Sequence, residues 1–169
     1  MEEIVSVYDE QGVPVGAAPR SRVRAENLRH GSTAVVVRNS KGKIFVHRRT
    51  ATKDIFPNLY DFAAGGLILD GETPLEGAYR ELGEELDITT ATLEPVAERD
   101  YEDEQTRYRA YLYTTTWDGP VHPQREEVDW CGWMSMKDLR KALGSPEWDF
   151  APDSVALWNG FLTDDTGAA

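Results

Sequence analysis

The sequence predicts a mixed α+β sandwich, and three observations predict it. Runs rich in β-branched residues come first in hairpin-like pairs. One acidic amphipathic helix stands in the middle. Long strand segments and then terminal helices close the chain. At 169 residues and 19.0 kDa the length suits a single domain, residues 1–169, able to bury a sizeable core.

Residues 4–8 and 13–17 read as a hairpin around Asp9-Glu10-Gln11-Gly12, and Pro14 confines the second run to a sheet edge. Residues 21–26 read as a short helix. Residues 33–38 and 44–49 form a second hairpin joined around Asn39-Ser40-Lys41-Gly42, a turn-rich sequence. A loop over 56–62 then leads to Ala63-Ala64-Gly65-Gly66, a short strand. Beyond the central helix, residues 92–101 and 107–117 are long strand segments, and 127–134 is a further strand. Helices over 136–143 and 152–162 follow, separated by a break that opens with Gly144-Ser145-Pro146. The tail, 163–169, is expected to fray. No repeat or low-complexity linker divides the chain.

The central helix carries the chemistry. Pro74 suits a first helical turn, Thr73 an N-cap, and Glu76 completes a capping box. Leu75, Ala78, Leu82 and Leu86 share an arc that can pack on a sheet, and Glu81, Glu84 and Glu85 fall within about 100° beside it. Three carboxylates on one half-buried face repel one another unless they are protonated or bridged by cations. Hard divalent cations with oxygen ligands, Mg²⁺ or Mn²⁺, answer that need and can be held against phosphate oxygens. Arg80 stands one turn from both Glu76 and Glu84 and can orient a carboxylate. A solvated acidic face is the ordinary fate of a charge run. Against it stands the pattern Gly66-x5-Glu72-x7-Arg80-Glu81-Leu82-x-Glu84-Glu85. Its six fixed polar or glycine positions coincide by chance about once in a hundred thousand chains of this length.

With Leu86-Asp87-Ile88 after it, this stretch resembles the Nudix box of the Nudix hydrolase superfamily. The resemblance implies an α/β/α sandwich with a mixed sheet, a loop–helix–loop box, and hydrolysis of a diphosphate linkage. It matches Glu81, Glu84 and Glu85 to the metal-ligating glutamates, adds the Gly65 carbonyl as a further ligand, and makes Glu72 an outer-shell or structural carboxylate. Glu81 and Glu84, with Arg80, thereby join the catalytic set. The family usually has Gly where this chain has Asp87. A left-handed C-terminal cap explains Gly there, and Asp tolerates that conformation better than most residues.

The superfamily supplies its general base from different positions. Glu127, ahead of Val128-Asp129, either faces the box helix as that base or is an exposed strand-end charge. Arg48 and Arg49 alternate across a strand, so at most one reaches the cleft and a substrate phosphate. Lys53 assists there or is an exposed lysine. Residues 100–104 read as a solvated acidic turn, His30 as a structural hydrogen-bonder, and Cys131 as a buried thiol. Trp130, Trp133 and Trp158 read as core, leaving Trp117 or Trp148 to stack on a base.

A net charge of −12 argues against nucleic-acid polymers and anionic membranes as partners. It leaves room for a small-molecule diphosphate, because a bound metal reverses the local charge. No long apolar run and no leader or lipidation signature is present, which points to a cytoplasmic protein. One cysteine rules out an internal disulfide framework and a zinc cluster. Monomer and homodimer are both compatible with the sequence.

A second resemblance covers most of the chain. Leu28-Arg29-His30, Val46-His47-Arg48-Arg49, residues 52–66, and Glu127-Val128-Asp129 before Trp133 look like the Nudix subgroup related to isopentenyl-diphosphate isomerase. The isomerase pattern has a cysteine followed by Gly-His-Pro where this chain has Ala64-Gly65-Gly66-Leu67. Its acid–base thiol is missing, whereas the glutamates of the box are complete. The sequence therefore favours attack by metal-activated water on an NDP-X or prenyl-type diphosphate. Isomerase chemistry and a non-catalytic ligand-binding module are the alternatives.

Overall fold

Alternation along one strand, β3 (His30–Arg38), sets the layers of the molecule. Val35 and Val37 point to one face, where they meet Ala78, Leu82 and Leu86 of the box helix. Val36 points to the other, towards Leu139, Leu157 and Trp158 of the C-terminal helices. Helices thus cover both faces of a mixed sheet, the expected α/β/α sandwich.

The computed structural model describes residues 1–163. The other elements are, in chain order, β1 (Ile4–Tyr8), β2 (Pro14–Pro19), α1 (Arg20–Ala25), β4 (Ile44–Arg49), β5 (Tyr60–Asp61), α2 (Pro74–Leu86), β6 (Glu94–Glu102), β7 (Arg107–Thr116), β8 (Val128–Met134), α3 (Met136–Leu143), α4 (Pro152–Leu157) and α5 (Asn159–Thr163). Of the tail expected to fray, 163–169, Thr163 ends α5 and residues 164–169 lie outside the described residues. Among the described residues no helix is long and apolar enough to cross a membrane.

β2 lies at the sheet edge beyond β1, as Pro14 requires. The second expected hairpin is only partly formed. β3 and β4 pair at Arg38 and Ile44 alone and then diverge. β3 runs parallel to β7 from His30 to Arg38, and β4 runs antiparallel to β8. Both strands are largely buried, so each is completed by a long partner rather than by its hairpin mate.

The gap between them takes the loop before α2. The segment expected as a strand at 63–66 instead contacts β3 through isolated bridges, Val35 with Ala64 and Ser32 with Leu67. This loop is zipped to β3 by Val35 N–H to Ala64 O (2.7 Å), Thr33 N–H to Gly66 O (2.9 Å) and Ile68 N–H to Gly31 O (2.9 Å).

α2 matches its expected bounds, and its caps explain them. Thr73 Oγ1 accepts from Glu76 N–H (3.2 Å), and Glu76 Oε2 accepts from Thr73 N–H (2.8 Å). Leu82 and Leu86 are fully buried, each contributing about 1.5–3 kcal/mol by burial. Leu75 is not part of that face; it lies on the first turn, 43% exposed. Asp87 ends the helix in the left-handed conformation (φ 58°, ψ 35°), the geometry expected at that position. Asp87→Gly should therefore stabilise the fold by up to about 1 kcal/mol, less what the contact with His122 (3.1 Å) provides. A thermal melt reads this as a small rise in Tm.

The expected helix over 152–162 is broken at Trp158 (ψ 12°), which is wholly buried; the break turns the indole into the core. Two core assignments are corrected on β8. Trp130 is 38% exposed although its ring edge packs on Tyr60 and Trp148, and Cys131 is exposed. Trp133 is partly buried against the α2-side core.

Candidate active site

The loop zipped to β3 brings its backbone against the acidic face of α2. Gly65 N–H donates to Glu85 Oε2 (3.2 Å). A Cβ at Gly65 would lie 2.0 Å from the Thr33 carbonyl oxygen, and one at Gly66 would lie 2.6 Å from Glu81 Oε1. At Gly65, where the neighbour is backbone, only glycine permits so close an approach.

Arg80 bolts this loop to the helix. It donates from Nε to Glu72 Oε2 (2.7 Å), from Nη2 to the Leu67 carbonyl (2.9 Å), and from Nη1 to Glu81 Oε1 (2.8 Å) and Glu84 Oε2 (3.2 Å). Glu72 also accepts from Leu69 N–H (2.7 Å). Burial works to raise the Glu72 pKa, yet the bonds from Arg80 and Leu69 bring it below its ordinary value. Glu76 is absent from the Arg80 cluster because it caps the helix. Arg80→Met would strand partly buried carboxylates and a carbonyl. It should destabilise the fold by about 3 kcal/mol, read as a lowered Tm in metal-free buffer.

Glu81, Glu84, Glu85 and Glu127 line one cavity together with Lys53 and Gly65. The carboxylates differ in burial. Glu85 is buried, Glu81 has a side-chain exposure of 16%, and Glu84 one of 55%. Burial is the main cause that raises the Glu81 pKa to about 7, with Arg80 opposing and Glu85 and Glu84 assisting. Burial likewise raises Glu85, against the pull of Lys53 and Arg49.

Beneath Glu85 lies His47, wholly buried. Its Nε2 is 3.3 Å from Glu85 Oε1, and among the described residues neither ring nitrogen has a hydrogen-bond partner. Burial holds its pKa down at about 4, so the ring is neutral. Buried carboxylates short of positive partners, beside an orphaned imidazole, form a site whose electrostatics the chain alone does not satisfy. Oxygen-rich and acidic, this donor set fits a hard divalent cation. Among the described residues no three acidic or imidazole groups already converge on one ion position. Arg80 accounts for that, since it draws Glu81 and Glu84 to itself.

The two arginines of β4 alternate as expected. Arg48 faces outward and donates to Asp129 Oδ1 (2.7 Å). Arg49 turns inward and donates to the carbonyls of Ile55 (2.8 Å) and Phe56 (3.2 Å), with no carboxylate partner among the described residues. Lys53 is not an exposed lysine; its side chain is 15% exposed and pairs with Glu127. Glu127 faces the box helix rather than hanging free at the strand end.

Sequence reasoning missed several residues. Arg20 and Arg24 of α1 reach the cavities, held by Asp54 at 2.9 Å and 3.1 Å. Burial works to raise the Asp54 pKa, but the two guanidinium groups hold it well below the usual carboxylate range. Their one sequence signal is the i, i+4 spacing on a short helix. His47 had no signal apart from its place in a strand.

His30 bonds the Leu28 carbonyl through Nδ1 (2.9 Å), the hydrogen bond expected of it, and also lines the neighbouring cavity. Trp117 bonds the Pro120 carbonyl (3.0 Å), and Trp148 packs on Tyr60 and Phe150; neither lines the cavities. The acidic run 100–104 begins inside β6, and only Asp103 and Glu104 lie in the turn, where Asp103 Oδ1 caps Gln105 and Thr106 N–H.

Known proteins resemble this chain in sequence and in fold. The NUDIX domain family matches residues 28–154. The chain is 39% identical over 166 residues to the Nudix hydrolase orf19 of Rhodococcus erythropolis, covering 92% of this chain and 90% of the relative. It is 35% identical to the Nudix hydrolase YfcD of Escherichia coli K12, covering 92% and 86%. The crystal structure of DR0079 from Deinococcus radiodurans superposes with a TM-score of 0.78 at 24% identity, over 94% of this chain and 98% of that one.

Proposed function

The chain belongs to the Nudix hydrolase family, an enzyme family of pyrophosphate-bond hydrolysis, and from that premise we propose that it cleaves the diphosphate of a small organic substrate with Mg²⁺ or Mn²⁺. Glu81, Glu84 and Glu85 with the Gly65 carbonyl would hold the cation. Once bound, the cation supplies Lewis acidity at phosphorus and a more acidic water. The observation that carries the reading is the convergence of these glutamates, Glu127 and Lys53 on a single cavity.

The chain's own groups divide the remaining work. Glu127 takes the proton from the attacking water, and Lys53 orients it. Arg49, which has no carboxylate partner among the described residues, receives a phosphate oxygen together with Lys53. Arg80 is a positioning residue: it holds the loop and the glutamates rather than the substrate. Arg48, paired outside with Asp129, has no part in the reading. Ala64 offers no titratable group, so the isomerase alternative lacks its acid–base residue. The absence of a transmembrane helix among the described residues and the single free thiol suit a cytoplasmic enzyme.

Incubation with Mg²⁺ and a panel of nucleoside, sugar and isoprenoid diphosphates should release a monophosphate or phosphate. A folded, metal-bound sample that turns over none of them would overturn the proposal.

A further inference from the structure

A second cavity, of about 90 Å³, opens from the first and shares with it Arg20, Lys53 and residues 65–67. Its mouth is cationic, with Arg49 and Lys53. Its floor includes buried polar groups, set beside the apolar side chains of Ile55, Phe56, Leu67 and Leu157. Asp61 is 6% exposed, Ser154 6%, His30 2% and Tyr108 7%. Asp61 Oδ1 accepts from Ser154 Oγ (2.7 Å) and Ala63 N–H (3.1 Å), and among the described residues Oδ2 takes no bond. Burial raises the Asp61 pKa. The His30 ring is neutral, burial holding its pKa down at about 4. Its Nδ1 must carry the proton that bonds the Leu28 carbonyl, which leaves Nε2 a lone-pair acceptor. Tyr108 Oη donates to Asp153 Oδ2 (2.6 Å).

Resting on the diphosphate-hydrolase reading above, we propose that this polar floor binds the group X of the substrate, and that X is compact and hydroxylated, such as a pentose, rather than an isoprenoid chain. A diphosphate lying at Lys53 and Gly65 projects its substituent between the two cavities, over this floor. Hydroxyls there can donate to His30 Nε2 and exchange hydrogen bonds with Asp61 Oδ2. A prenyl tail would bury the same atoms and leave them unpaired. Sites built to bond a substrate hydroxyl reject the analogue that lacks it by large factors.

The test compares kcat/KM for a pentose-bearing diphosphate, its deoxy analogues and prenyl diphosphates, all with Mg²⁺. The pentose compound should be preferred over the prenyl ones by about 10²-fold or more. Asp61→Asn, which keeps the shape of the floor, should raise KM for the pentose compound about tenfold and leave the relevant deoxy analogue unchanged. A variant that is only misfolded would weaken both. Equal or better use of prenyl diphosphates would overturn the inference and leave the hydrolase reading standing. If no diphosphate is hydrolysed, calorimetry with non-hydrolysable methylene-bridged analogues decides. Preferential binding of the hydroxylated analogue supports the floor, and indifference to the hydroxyls overturns it.

Discussion

Glu85→Gln should lower kcat by about 10³-fold while the protein stays folded. The reasoning is local. Glu85 is the most buried of the three box glutamates. Its carboxylate accepts one backbone N–H, from Gly65, and sits against an imidazole that gives it no hydrogen bond. A glutamine is isosteric, and its amide oxygen can still take the Gly65 bond. What disappears is negative charge, and charge is what a divalent cation needs. Removing a buried, poorly compensated carboxylate relieves a desolvation cost, so the metal-free Tm should hold or rise. In the wild type Mg²⁺ should raise Tm by ligand linkage, and in the variant that shift should shrink. Steady-state kinetics and melts with and without Mg²⁺ read both halves. A variant of full activity would remove Glu85 from the site.

Gly65→Ala should be the most damaging single methyl group in the chain. Its Cβ would stand 2.0 Å from the Thr33 carbonyl oxygen and 3.0 Å from the Ala34 Cα, and both of these are backbone. No rotamer relieves that overlap, so the loop must lift from β3. The bonds at risk are those joining Ala64 to Val35 and Gly66 to Thr33. A cost of about 3 kcal/mol or more follows for such a clash. At about 2–4 °C per kcal/mol for a chain of this size, Tm should fall by roughly 6–12 °C. Activity should fall even below the melting range, because the same loop carries the Gly65 carbonyl and the N–H that holds Glu85. A variant with unchanged Tm would mean that the loop is not pinned to β3 in solution.

The box was legible because its chemistry is local. Thr73, Pro74 and Glu76 define the start of α2 within four residues, and helical periodicity alone places Glu81, Glu84 and Glu85 beside the buried arc. Asp87 announced a left-handed cap by its position. The pairing of β3 was not legible, since β-branched runs joined by a turn look like a hairpin whether or not their long partners lie elsewhere. Buried polar groups were also hidden. His47 and Asp61 acquire their surroundings from β8, α4 and the box loop, which are distant in sequence. Trp130 and Cys131 were read as buried from an apolar local pattern, but whether a strand face is covered depends on which layer reaches it. Lys53 is the same lesson reversed: an ordinary loop lysine in sequence, drawn inward by Glu127.

The central claim is that the glutamates of α2 hold a divalent cation in the cavity they share with Glu127. Titration of the protein with Mn²⁺, followed by electron paramagnetic resonance, measures that most directly. The wild type should bind Mn²⁺, Mg²⁺ should displace it, and the double variant Glu81→Gln/Glu85→Gln should lose that binding while remaining folded. Unchanged Mn²⁺ affinity in the folded double variant would contradict the account.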